Sequence, residues 1–331
     1  STIMQRLSFA NNKLRMLNAH TFSGLKALIY LDLSQNRISK LNRFCFSGLE
    51  KLIELNLAFN NISTIEAETM FSLESLKSLT LFGNPLKHIE SLGFTGMHRI
   101  LSIDLSFMQL TSLKKLSFNE LCLLEKLSLS GNNLIDLDEQ FIGESLSNIE
   151  SIYLDKNKIA SIPCKSFATI PSLRDLQLER NRIKEIPANC FAKLINLKKL
   201  YLNENLIEQI EANSFSGLYS LKKLLLMGNP IYTIENYAFR SLVSIERLTF
   251  LRSRIEQLSR FSLNGLGNLQ QLELRNLNLT SIENGLFEPL NQVLIIDLNK
   301  CRLQMIPTGT FSNLSWLEDI DLFDNQIEII Q

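Results

Sequence analysis

Residues 1–331 read as one α/β solenoid of about fourteen 24-residue coils, with a parallel concave β-sheet along one side and an irregular or 3₁₀ convex side. Three observations carry that reading. First, LIYLDLSQNRISKLNRFCFSGLEK returns as LIELNLAFNNISTIEAETMFSLES, LRDLQLERNRIKEIPANCFAKLIN and LKKLYLNENLIEQIEANSFSGLYS, which condense to LxxLxLxxNxIxxIxxxxFxxLxx. Second, with the Asn as anchor, the anchors fall at 12, 36, 60, 84, 108, 132, 157, 181, 205, 229, 253, 277, 301 and 325, every step being 24 except one of 25. Third, four slots per coil (five and three before the anchor, two and five after) hold Leu, Ile or Phe in all 56 instances. Length alone suggests about two domains, but a period this strict leaves no room for a linker, and a single domain is expected.

Each element follows from the slots. The apolar residues before the anchor alternate with polar neighbours, as Leu31 and Leu33 do with Tyr30, Asp32 and Ser34, which predicts a half-buried strand. Parallel strands about 4.8 Å apart would give an inner arc of roughly 60 Å, bent by the bulkier return segments outside it. Where the chain leaves the strand, backbone groups lose their sheet partners, and an amide side chain, both donor and acceptor, can bridge adjacent turns. Ten of the fourteen anchors are Asn; Met108, Ser253, Leu277 and Cys301 are not, and the last three are consecutive. Ser and Cys replace an amide only in part and Met and Leu not at all, so these coils are expected to be loosened or to change curvature locally. Beyond the anchor, the apolar spacing predicts an irregular return with a turn or short 3₁₀ piece. Ten Phe from Phe22 to Phe311 occupy the slot ten after the anchor, with Phe141 displaced by one and Met70 and Leu263 in the other two. They are expected in the outer core rather than around a ligand.

Composition excludes several functions. With 34 basic and 34 acidic residues the formal charge is zero, so no general field attracts nucleic acid or an anionic membrane. No run of 18 apolar residues occurs, which argues against direct membrane insertion of this segment, and the opening STIMQRLSF lacks the pattern of a signal peptide. The three histidines, His20, His88 and His98, are thin stock for catalysis or zinc. No metalloprotease helix, nucleophile elbow, P-loop or paired cysteine knuckle appears, so no enzyme, cofactor or metal is expected. Asp297, Asp319, Asp321 and Asp324 gather near one end, but nothing defines the six to eight oxygens a hard cation takes. The Gly-Asn-Pro triplets at 83–85 and 228–230 read as turns within the repeat, not phosphate loops.

These motifs resemble the leucine-rich repeat family, and the 24-residue coil with Phe after the Asn is similar to its extracellular "typical" subclass, found in Toll-like receptors, hormone receptors, Slit-like guidance proteins and matrix proteoglycans. The resemblance implies a horseshoe whose concave sheet binds protein, in a protein secreted or displayed on cells. Members usually carry cysteine-rich caps; this chain starts mid-coil at Ser1 and stops mid-coil at Gln331, so a fragment of a larger ectodomain is expected. Cys45, Cys122, Cys164, Cys190 and Cys301 are scattered and odd in number. Cys164 and Cys190, seven and nine after successive anchors, could approach on the return path, but the two-residue offset weighs against a bridge. Sequons at Asn61, Asn278 and Asn313 are compatible with glycosylation.

Residues six, four and two before each anchor point away from the core and decide what the sheet can bind. Tyr201, Leu225, Met227 and Leu251 are expected side by side, flanked by Lys199, Lys223, Arg247 and Arg275, with Arg252 and Arg254 on the adjoining loop. Exposed apolar groups inside a charged rim mark a partner site. Phe82 and Phe107 form a weaker second zone, with Tyr30 and Tyr153 more isolated. The expectation is the protein-binding ectodomain of a cell-surface receptor or adhesion protein, with homodimerisation compatible; the alternative is a secreted matrix or scaffold protein of the same fold without signalling.

Overall fold

The computed structural model describes residues 3–66, 68–89, 93–113, 117–118, 120–138, 141–142 and 144–330, and divides into two compact units, Ser1–Ile159 and Ala160–Gln331. Ser1 and Gln331, on which the expectation of missing caps rests, lie outside the described residues. Each unit is a solenoid of stacked coils at the predicted period.

In the first unit the strands are Arg6–Ser8, Tyr30–Asp32, Glu54–Asn56, Ser78–Thr80, Ser102–Asp104, Lys126–Ser128 and Ser151–Tyr153. Each pairs parallel with the next at equivalent slots, Leu31 opposite Leu55 and Leu55 opposite Leu79. The second unit has Asp175–Gln177, Lys199–Tyr201, Lys223–Leu225, Arg247–Thr249, Gln271–Glu273, Ile295–Asp297 and Asp319–Asp321, again parallel, with Leu200 opposite Leu224 and Leu272 opposite Ile296. In these strands the middle residue turns inward and its neighbours outward, as the period-two alternation requires.

The anchor amides act as their chemistry suggested. Asn60 accepts the Ile38 N–H at 3.0 Å and donates to the Leu33 carbonyl of the preceding coil at 2.9 Å and to its own Leu57 at 3.1 Å. In the second unit Asn229, fully buried, accepts from Ile207 at 3.1 Å and donates to Leu202 at 2.9 Å and Leu226 at 2.7 Å. At the exceptions the bridge fails or weakens. Cys301 Sγ donates to Leu274 at 3.3 Å, Ser253 Oγ is buried with no partner, and Leu277 is simply packed.

The residue before every anchor adopts a left-handed backbone, from Asn11 (φ 56°) through Phe107 (φ 52°) and Arg252 (φ 67°) to Asp324 (φ 56°), with Gly at 83, 131 and 228. This turns the chain out of the strand and aims the amide inward. The conformation is costly for a residue with a Cβ and in most coils is held by its N–H, which donates to the next coil, as Phe107 does to Ser130 at 2.7 Å and Glu204 to Met227 at 2.8 Å.

On the return side the Phe column forms a stacked spine: Phe94 and Phe118 have ring centroids 6.1 Å apart in the first unit, Phe215 and Phe239 5.9 Å in the second. One 3₁₀ piece, Glu144–Leu146, sits in the 25-residue coil, and one α-helical turn is Cys164–Phe167. The irregular return also carries two-residue parallel strands that the spacing did not suggest, pairing Met16–Leu17 with Lys40–Leu41, Gln209–Ile210 with Thr233–Ile234, and Met305–Ile306 with Ile329–Ile330. No helix of the described residues is long and apolar enough to cross a membrane.

One expectation is overturned. Cys164 and Cys190 are bonded, their Cα atoms 4.7 Å apart. The helical turn explains it. Three residues of helix advance only about 4.5 Å, so Cys164, three before Phe167, is drawn back towards Cys190, which directly precedes Phe191.

Candidate functional site

On the outward face of the second unit, strand register sets the side chains in rows. Lys199, Lys223 and Arg247 share one row, all exposed. Tyr201 and Leu225 are paired in the next, which continues through Thr249 to Glu273, Asp297 and Asp321. Met227 and Leu251, two before their anchors, are half-buried like Tyr201 and Leu225, and the Gly228 N–H donates to the Leu251 carbonyl at 2.9 Å. The structure therefore brings the apolar four onto adjacent coils, with Arg252 and Arg254 exposed beside them.

The cations are held unequally. Lys199 Nζ lies 3.7 Å from Asp175, and Lys223 Nζ lies 5.0 Å from the centre of the Tyr201 ring. Arg247, Arg252 and Arg254 make no ion pair among the described residues. Arg275 stands at the border, Nε 3.9 Å from Asp297 Oδ2 and without a hydrogen bond. Beyond it the acids are ordered by local bonds: Glu273 accepts from Gln271 at 2.9 Å, and Asp297 from the Asn299 N–H at 3.0 Å. Asp321 accepts from the Phe323 N–H and from Asn299 Nδ2, both at 2.9 Å, and these bonds hold its carboxyl below the usual carboxylate range.

The sheet thins beneath this patch. Elsewhere in the unit two consecutive N–H groups donate to one carbonyl of the preceding coil, as Lys222 and Lys223 do to Lys198 and Gln270 and Gln271 to Glu246. The equivalent bonds from Glu246 and Arg247 to Lys222 are not formed, nor is the donation from the left-handed Arg252 to the following coil. Only Lys223 and Arg247 keep strand register there. The loss falls in the coil anchored by Ser253, the first of the three consecutive exceptions.

In the first unit, Phe82 and Phe107 lie 5.2 Å apart, as the second zone suggested, and Phe59 joins them 5.0 Å from Phe82. Phe59 and Phe107 are 54% and 48% exposed despite their size. Phe59 covers Gly83 and Phe107 covers Gly131 so closely that a Cβ at either glycine would stand 2.9 or 2.7 Å from ring carbon. The signal for Phe59 was its slot, directly before the anchor like Phe107. Tyr30 and Tyr153 are not part of this group; each carries its own cation, Arg6 at 4.0 Å and Lys126 at 4.9 Å. Of the sequons, Asn61 and Asn313 are exposed and Asn278 is half-buried.

The leucine rich repeat family model matches residues 2–52, 30–86, 123–183 and 171–231, and the BspA type leucine rich repeat region, in six copies, matches 208–331. No curated protein sequence gives a significant match. Among solved structures the chain is similar to one in the TLR13–ssRNA13 complex (24% identity, TM-score 0.79, covering 97% of this chain and 50% of that one). It is similar to one in the Drosophila Toll–Spatzle complex (21%, 0.80, 99% and 48%). A third likeness is to a chain of the octameric complex of Latrophilin 3, Unc5D and the FLRT2 leucine-rich repeats (22%, 0.64, 76% and 76%). The chain spans about half the length of the first two. At these identities the likeness is one of fold.

Proposed function

Because the chain belongs to the leucine-rich repeat family, we propose that it is the ligand-binding part of an extracellular receptor or adhesion protein, capturing a protein on its concave sheet face. The observation that carries this reading is the patch of Tyr201, Leu225, Met227 and Leu251, apolar side chains held on adjacent coils inside a rim of Lys199, Lys223, Arg247, Arg252, Arg254 and Arg275. Tyr, Met and Arg are favoured at protein interfaces, and a largely preformed sheet loses little ordering on binding. The Cys164–Cys190 bridge and the exposed sequon asparagines Asn61 and Asn313 support an oxidising, secretory setting. A protein partner suits the neutral net charge better than a polyanion does.

The test is Leu225→Asp combined with Met227→Asp in an extracellular interaction screen with the whole chain. Both side chains are only half-buried, so unfolding should change little while capture is lost. Undiminished capture by the double variant would refute the patch.

A further inference from the structure

The outward face of the second unit is electrically divided, and the division falls on a regular grid. Lys199, Lys223 and Arg247 stand at equivalent positions on three consecutive strands. Glu273, Asp297 and Asp321 stand at equivalent positions on the next three, with exposed Asp319 beside them. The two sets meet where Arg247 pairs with Gln271 and Thr249 with Glu273. Arg275 is drawn to the Asp297 carboxylate at the seam, and Asp175 partly offsets Lys199 at the far end. The apolar side chains Leu225, Met227 and Leu251 lie within the basic half and reach towards the seam.

The spacing selects a shape. Strands follow one another every 4.8 Å or so, so like charges recur at about that interval across the sheet. Side chains three or four apart on an α-helix are separated by about 5–6 Å, whereas alternate residues of an extended strand are about 6.7 Å apart. A helix laid across the strands therefore keeps step with the grid better than a strand does. From Lys199 to Asp321 is five strand steps, about 24 Å, which a helix covers in about 16 residues.

We infer that this face receives an α-helical segment of a partner protein that is acidic over one half and basic over the other, with an apolar side chain in the acidic half, next to the junction, over Leu225, Met227 and Leu251. The inference rests on the proposed protein-binding role of the same face. It narrows the partner to one whose charges are segregated along about four helical turns.

The test uses the whole chain and two synthetic 18-residue helical peptides of identical composition, one with Glu and Lys in separate halves and a Leu in the Glu half next to the junction, the other with them intermixed. Anisotropy titrations at low and moderate salt should show the segregated peptide binding at least about tenfold tighter, with the gap shrinking as salt rises. Glu273→Lys, Asp297→Lys and Asp321→Lys together should abolish that preference. Adding Lys199→Glu, Lys223→Glu and Arg247→Glu should restore it, because the grid is then divided again with its ends exchanged. Equal affinity for the two peptides, or no binding of either, would overturn the inference. Loss of both peptides alike on Leu225→Asp with Met227→Asp, without any preference between them, would leave the binding face standing and remove only its charge selectivity. Sedimentation should show no self-association governed by these charges; a dimer dissolved by the acid-to-lysine variant would assign the face to a second copy and overturn the helical partner.

Discussion

Asn229→Leu isolates the anchor amide. The slot already accepts Leu at 277, where it is buried to 1%, so volume is not the issue. Removing the amide strands the Ile207 N–H and the Leu226 carbonyl, bonded at 3.1 and 2.7 Å, and takes one of two donors from the Leu202 carbonyl, which keeps Asn205 Nδ2 at 3.0 Å. Leaving a buried polar group unsatisfied costs about 1–3 kcal/mol, so two give about 2–6 kcal/mol. Urea unfolding followed by circular dichroism measures the total, and hydrogen exchange of the Ile207 amide shows whether the loss starts there. The reciprocal change, Leu277→Asn, returns an amide at the offsets used by Asn229 and should slow exchange at Ile255 without loss of stability. A change below about 1 kcal/mol for Asn229→Leu, with Ile207 still protected, would refute the bridging role.

Four further outcomes are expected. Replacing Cys164 and Cys190 with Ala opens a crosslink of 26 residues' separation and should lower stability by up to about 3.5 kcal/mol on the loop-entropy relation, read as a shift in urea midpoint. Phe107→Ile places a β-branched residue at φ 52° and should destabilise the first unit by about 1–3 kcal/mol, whereas Phe107→Asn should be far milder, as thermal melts would show. Burial pushes the Cys45 thiol up to about 12. Since the folded state then holds its proton more tightly than the unfolded one, stability should fall as pH rises from about 9 towards 12. Cys45 should also resist maleimide in the native protein while exposed Cys122 reacts, a difference visible by mass spectrometry.

What could be read from the chain was whatever one residue does in one slot. Leu31 and Leu33 announce a strand by alternation, Asn60 a bridge by its two functional groups, and Phe94 the spine by its place in the column. The grouping of Tyr201, Leu225, Met227 and Leu251 followed from the period alone, because in a parallel register equal offsets become neighbours. What escaped depended on backbone path. The left-handed turn is a φ value, visible in the sequence only as the lack of β-branched residues before the anchors. The Cys164–Cys190 bridge required knowing that one return segment winds as a helical turn. Phe59 belongs with Phe82 only because the left-handed conformation swings its ring over Gly83. The missing bonds at Glu246 and Arg247 were foreshadowed by Ser253, but their location under the apolar patch was not.

The rung with fewest bonds gives the outward face of the second unit a compliant place. Strands Lys223–Leu225 and Arg247–Thr249 are tied at a single register pair, and the coils meet again only beyond them, where the Gly228 N–H donates to the Leu251 carbonyl at 2.9 Å. Local opening of the second unit should therefore begin at this rung, with amide exchange faster at Glu246 and Arg247 than at Gln270 and Gln271.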